Sequence, residues 1–329
     1  MMSKKSFYSE TLCAFLVLGT LQACGDGKKN NKAGPLPSPS PVAGAKIYLD
    51  NIEEGKPLLL IYGDSISTGV LSNTTLGQAP DTQLTAQLGS YIKSGQYTAN
   101  GFQAGVANQN LAASTTKEGY GVRQGLAAQK GIMAQDVGVI SLARFGAKAD
   151  DIPKMITDWK NQKSESQLPD PEFVLVALGA NDFCSDLSPQ QISAHFNEQI
   201  EAVHQLSPNA QLIISAAPPV PSIAPIEFTY QSDLTAITGE ELSCRKFREQ
   251  YCKPLFAPDA AARMAAINAG IEAASNVQKE KGTDVIFVDG IKDWKISPDE
   301  LSFDCFHPSK KGQETLGRLI QASLAAPAS

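Results

Sequence analysis

The chain has 329 residues, of which 42% are hydrophobic and 19% charged, an ordinary globular composition that excludes a disordered, collagenous or coiled-coil protein. With 28 basic against 34 acidic residues the formal charge is -6. Without a run of Lys and Arg there is no electrostatic footprint for nucleic acid, so none is expected as a partner. The apolar stretch from Leu12 to Leu21, about ten residues long, is far short of the ~20 needed to span a bilayer.

That stretch follows Lys4 and Lys5 and ends in Leu21-Gln22-Ala23-Cys24, the arrangement of an export signal. It resembles the signal of bacterial lipoproteins, with "LQAC" as the lipobox. The resemblance implies that residues 1–23 are removed and that Cys24 is acylated. At about 0.8 kcal/mol per buried methylene, several acyl chains anchor a protein stably to a membrane. Gly25 rather than Asp follows Cys24, which by the lipoprotein sorting pattern implies the outer membrane in a cell that has two. The alternative is an ordinary secretory signal cut after Ala23, with Cys24 incidental. Residues 24–45 turn to Gly, Lys, Asn, Pro and Ser, including "PLPSPSP", too polar to fold and suited to an extended tether. Residues 46–329 are expected to form a single domain and a monomer.

Along this body, strands are predicted at Leu58 to Tyr62, Val137 to Leu142, Phe173 to Leu178, Gln211 to Ala216 and Val285 to Val288. Their unbroken apolar character is what strands covered on both faces of a parallel sheet require. Between them, Ile152, Met155, Ile156 and Trp159 mark one helical face and Ile192, Phe196, Ile200 and Val203 another. The second helix is opened by Ser188, with Pro189 and Gln191 behind it. Further helices are predicted from Asp259 towards Lys279 and after Pro308. Strand and helix in alternation predict a three-layer α/β/α sandwich on a mostly parallel five-stranded sheet, flavodoxin-like in its winding.

Ligands of such sheets bind beyond the carboxyl ends of the strands. There the sequence places Gly63-Asp64-Ser65, then Gly146 within "SLARFGAKADD", then Gly179-Ala180-Asn181-Asp182, and finally Asp304-Cys305-Phe306-His307. Each block is common alone. In this order, each after a strand, they resemble the SGNH, or GDSL, hydrolase family, whose name-giving residues match Ser65, Gly146, Asn181 and His307.

The resemblance implies a serine esterase without a cofactor or metal. A serine hydroxyl attacks only when an imidazole takes its proton, and the imidazole needs a carboxylate to fix its tautomer. Ser65, His307 and Asp304 fill these roles, with Asp304 and His307 close enough in sequence to share one turn. The family pattern assigns the oxyanion to the backbone N–H groups of Ser65 and Gly146 and the amide of Asn181, and gives Asp64 a supporting role. A histidine base with an ordinary pKa implies that the rate falls below about pH 6.5. His195 and His204, nine apart in one helix, suit no helical metal site.

Several features depart from a compact family member or refine the match. Ser141 stands where the family often has Asn, and Lys148 closely follows Gly146. Residues 71–133 form an insertion, with Leu84, Leu88, Tyr91 and Ile92 on a candidate amphipathic helix; a lid or acyl-pocket wall and a mere surface elaboration both fit it. Residues 218–258 form a second excursion. Cys184, Cys244, Cys252 and Cys305 remain in the exported domain as two disulfides. Convergence of the Asn181 and His307 loops favours Cys184 with Cys305 and Cys244 with Cys252. The competing arrangement bonds Cys184 into the excursion and leaves Cys305 for the other cysteine there. "GANDFCSD", "CRKFREQYC", "FDCFHPS" and Arg144 resemble the phospholipase B and acyloxyacyl hydrolase branch. The ester substrate is therefore expected to be an acyl lipid. An O-acetyl esterase of polysaccharide or peptidoglycan is the alternative within enzymes, and a catalytically silent surface-binding lipoprotein the alternative outside them.

Overall fold

The computed structural model describes residues 47–69, 72, 75–77, 121–229 and 243–325. The signal, Cys24, the tether, the candidate helix carrying Leu84, Leu88, Tyr91 and Ile92, and residues 230–242 of the second excursion lie outside the described residues.

Five strands form where the apolar runs fall: β2 (Leu58–Gly63), β3 (Gly138–Ser141), β4 (Phe173–Ala177), β5 (Gln211–Ser215) and β6 (Val285–Val288). All are parallel, with Leu59 opposite Val139 and Phe173, Leu175 opposite Ile213, and Ile213 opposite Ile286. The sheet has a sixth strand, β1 (Tyr48–Asp50), which runs antiparallel beside β3 and gives the order β1-β3-β2-β4-β5-β6. Every residue of β2, β3 and β4 is buried. Each such Leu, Ile or Val contributes roughly 1.5–3 kcal/mol relative to exposure.

The helices cover both faces. On one side lie α3 (Ile152–Ser166), α5 (Pro189–Leu206) and α7 (Ala260–Glu280), with α5 packed between the other two. On the other, α2 (Val122–Lys130) packs on α8 (Lys310–Ala325). The helical faces are those the sequence marks: Ile152, Met155 and Trp159 are buried on α3, and Ile192, Phe196, Ile200 and Val203 on α5. Ser188 caps α5 reciprocally with Gln191, its Oγ accepting from Gln191 N at 3.3 Å while Gln191 Oε1 accepts from Ser188 N at 2.9 Å. The chain order reverses at β2, which has β3 on one side and β4 on the other. A crevice opens at such a reversal, beyond the carboxyl ends of the strands.

Candidate active site

Ser65 stands at that reversal, directly after β2, as the first residue of the one-turn helix α1 (Ser65–Thr68). Asp64 is its N-cap, and its Oδ1 accepts from Ile66 N at 2.9 Å. As a first helical residue Ser65 has no intrahelical acceptor for its own N–H. The tight turn needs glycine at 63, because a Cβ there would lie 2.3 Å from Ser67 Oγ. Gln313 of α8 donates to Ile66 O at 2.9 Å, so the short helix is held by the C-terminal layer as well as by its own cap.

His307 arrives from the loop between β6 and α8, and its Nε2 lies 2.8 Å from Ser65 Oγ. Its Nδ1 lies 2.5 Å from Asp304 Oδ2. The other Asp304 oxygen accepts from Ser302 Oγ at 2.7 Å and from the N–H groups of Phe306 and His307, both at 3.0 Å. A carboxylate that accepts from Nδ1–H leaves the Nε2 lone pair for the serine proton. The structure thus brings Ser65, His307 and Asp304 into one hydrogen-bonded chain.

Gly146 sits in the turn from Arg144 to Ala147, closed by Ala147 N donating to Arg144 O at 3.2 Å. Its φ of 73° lies in the left-handed region, and nothing would crowd a Cβ there, so backbone conformation rather than space calls for glycine. Arg144 N donates to Gly63 O at 3.0 Å, which ties this turn to the end of β2. Asn181, on α4 (Ala180–Phe183) after β4, donates from Nδ2 to Ala147 O at 3.1 Å. The buried Asp182 accepts from Ala149 N at 3.1 and 3.3 Å. These two neighbours clamp the Gly146 turn onto the β4 loop, a role for Asp182 that its adjacency to Asn181 alone hinted at. Arg144 forms an ion pair with Asp158 of α3. Ser141 Oγ accepts from Ala143 N at 3.4 Å, and His195 and His204 lie on α5.

Two aromatic rings flank the imidazole: Phe145 at 5.7 Å between centroids and Phe306 at 5.6 Å, edge-on. Phe145 is 53% exposed, an apolar side chain left open beside the base.

The titration of this cluster is set by burial and by charge together. Burial pushes Asp64 up from 3.8 to about 6 and Asp182 from 3.8 to about 7. Burial works against ionisation of Asp304 too, but the charge and hydrogen bonds of His307 hold it well below the ordinary carboxylate range. For His307, burial favours the neutral ring, and the charge and hydrogen bond of Asp304 with the charge of Asp64 outweigh it, so its pKa is raised above 6.5. With His307 as the base, the acid limb of activity is therefore expected above pH 6.5, not at it. The folded protein keeps protons on Asp64 and Asp182 that the unfolded chain releases from pH 3.8 upward. Their contribution to stability declines as pH rises towards about 6 and about 7. That of a protonated His307 is likewise lost as pH climbs from 6.5 through its raised value, whereas Asp304 contributes above 3.8 and is lost on acidification. The melting midpoint should accordingly be highest at mildly acid pH, near about pH 4 to 5, and fall by pH 8 while activity rises. Calorimetry across this range checks it, and a midpoint that climbs from pH 5 to 8 contradicts it.

The cysteines pair otherwise than the favoured expectation. Cys184 is bonded to Cys252 and Cys244 to Cys305, with Cα separations of 4.6 and 5.3 Å, so the pairs Cys184 with Cys305 and Cys244 with Cys252 do not form. The reason is a helix in the second excursion, α6 (Cys244–Tyr251). At 1.5 Å per residue its length holds Cys244 and Cys252 about 12 Å apart, beyond the reach of one disulfide. The Asn181 loop and the His307 loop are joined all the same, each to one end of α6. Closing loops of 68 and 61 residues restricts the unfolded chain by about 4 kcal/mol each in the loop-entropy account.

A serine, a histidine and an acid in one hydrogen-bonded chain, at the winding reversal of a parallel sheet, define a serine hydrolase of the SGNH fold. Residues 59–320 match the family model described as GDSL-like Lipase/Acylhydrolase. The chain belongs to that family and is a carboxylic ester hydrolase. No curated protein sequence matches it. Among solved structures it is similar to TesA, at 16% identity, TM-score 0.43, covering 82% of this chain and 98% of that one. A lipase/acylhydrolase from Enterococcus faecalis aligns at 16% identity and TM-score 0.40, with 82% and 95% covered. A carbohydrate esterase family 2 enzyme plus carbohydrate binding domain, from Corynascus thermopiles (Myceliophthora fergusii), aligns at 15% identity and TM-score 0.50, with 83% of this chain and 66% of that one covered.

Proposed function

We propose that this protein is an exported, lipid-anchored serine esterase that removes acyl chains from phospholipid or another lipid through an acyl-enzyme on Ser65. The observation that carries the catalytic part is the continuous contact of Ser65 Oγ with His307 Nε2 at 2.8 Å and of His307 Nδ1 with Asp304 Oδ2 at 2.5 Å. Ser65 Oγ attacks the ester carbonyl as His307 takes its proton. His307 then gives that proton to the leaving alcohol, and a water molecule repeats both steps on the acyl-enzyme. Asp304 stabilises the imidazolium, while the N–H groups of Ser65 and Gly146 and the Asn181 amide receive the charge on the carbonyl oxygen.

The lipid part of the proposal is supported by the likeness of "GANDFCSD", "CRKFREQYC" and "FDCFHPS" to the phospholipase B and acyloxyacyl hydrolase branch. The exposed Phe145 beside the base suits an apolar substrate as well. The anchor rests on "LQAC" at Cys24, followed by the Pro- and Ser-rich tether through residue 45. The domain from residue 46 to 329 then works at a membrane surface.

A nitrophenyl ester series from acetate to palmitate tests the substrate class. On this proposal kcat/KM rises at least tenfold from acetate to the medium chains. Activity confined to acetate contradicts it in favour of an O-acetyl esterase, and a folded protein inert on every ester contradicts the enzyme reading. For the anchor, Cys24→Ser is expected to abolish incorporation of a fatty-acid probe and release the protein from membranes; continued labelling of that variant contradicts the lipobox.

A further inference from the structure

Helix α6 does more than carry two cysteines. Its Arg248 side chain is fully buried, donating from Nε at 2.9 Å and Nη2 at 2.8 Å to Cys305 O, and from Nη1 at 2.6 Å to Ile226 O. An ionised guanidinium is tolerated in the interior only where acceptors are fixed for it. Those acceptors include the carbonyl of a residue lying between Asp304 and His307.

Cys305 has a φ of 63°, a left-handed conformation that residues other than glycine and asparagine seldom adopt. In that conformation the N–H groups of Phe306 and His307 both reach Asp304 Oδ1 at 3.0 Å, while the Cys305 carbonyl is taken by Arg248. Relaxing Cys305 to right-handed backbone would reorient its carbonyl and strip the guanidinium of an acceptor. The mount itself is fixed at both ends: Cys244 is bonded to Cys305, and Cys252 to Cys184, three residues beyond Asn181.

We infer that Arg248 is a positioning residue for ester hydrolysis: its grip on the Cys305 carbonyl fixes the left-handed turn that holds Asp304 on His307, and thereby His307 on Ser65. It touches no reacting atom. The inference rests on the catalytic reading of Ser65, His307 and Asp304 given above.

The test uses Arg248→Met and Arg248→Lys in the full, disulfide-bonded protein, with kinetics on a short nitrophenyl ester from pH 5 to 9. Among the described residues, the charged groups facing His307 are Asp304 and Asp64. In Arg248→Met, kcat is expected to fall at least tenfold with KM within twofold. The acid limb should move down towards the ordinary imidazole value as Asp304 loses its hold on Nδ1. Arg248→Lys, able to reach one of the two carbonyls, should recover part of both. A folded Arg248→Met with unchanged kcat and an unchanged limb, whatever its melting point, overturns the inference. Should neither variant fold, amide hydrogen exchange on the unmodified protein decides. The Phe306 and His307 amides must then open together with the amides of α6, and their exchange while α6 stays protected overturns the inference. Hydrolysis that survives Ser65→Ala overturns the catalytic reading as well, a result separate from an essential Ser65 with an indifferent Arg248.

Discussion

Replacing Ser65 by Ala is expected to lower turnover by at least about three orders of magnitude while the melting point stays within a few degrees. The atom removed is one buried hydroxyl oxygen whose partner is His307 Nε2, at a position where the backbone is already held by the Asp64 cap and by Gln313. Packing is therefore almost untouched, whereas no acyl-enzyme can form. His307→Ala should cost about as much, and the double variant little more than either single one, because the two side chains act as a unit. Steady-state assays on purified, folded protein check this, and a Ser65→Ala variant within tenfold of wild type contradicts it.

Asn181→Ala is expected to lower kcat by about two to three orders of magnitude with little change in KM. On the proposed mechanism its amide serves charge that develops only as the tetrahedral species forms, so the ground-state ester gains little from it. The variant also loses the bond from Nδ2 to Ala147 O, and with it one of the two clamps on the Gly146 turn. Asp182 remains on Ala149 N, so the loop stays in place and the loss reports on the amide. A change confined to KM would assign Asn181 to substrate binding instead.

The parallel strands were legible because a strand covered on both faces has to be apolar throughout. Predicted and observed bounds of β2 to β6 differ by a residue or so at the ends. Strand β1 was not legible: it is three half-buried residues at the sheet edge, held by pairing with β3 rather than by an apolar pattern. Helix α6 escaped for a related reason, since "CRKFREQY" is short and mostly polar, and its buried side chains among the described residues are Cys244 and Arg248, with the buried Cys252 as C-cap. The signal was there in another form, because Cys244, Arg248 and Cys252 recur every four residues behind Ser243, which caps the helix by accepting from Lys246 N. Reading that period would have placed the cysteines at opposite ends of a rod and excluded the bond between them. The site blocks were legible because each follows a strand. The raised pKa of His307 was not, since it requires the approach of Asp304 and Asp64 to outweigh burial, a balance only the folded chain sets.

The central claim is that Ser65 carries the acyl group. The most direct measurement is mass spectrometry of the protein after reaction with a fluorophosphonate, followed by peptide mapping. One adduct per chain, on the peptide containing Ser65, with labelling reduced at least about a hundredfold in His307→Ala, is the predicted result. Stoichiometric loss of ester hydrolysis with the adduct on any other residue would contradict the account.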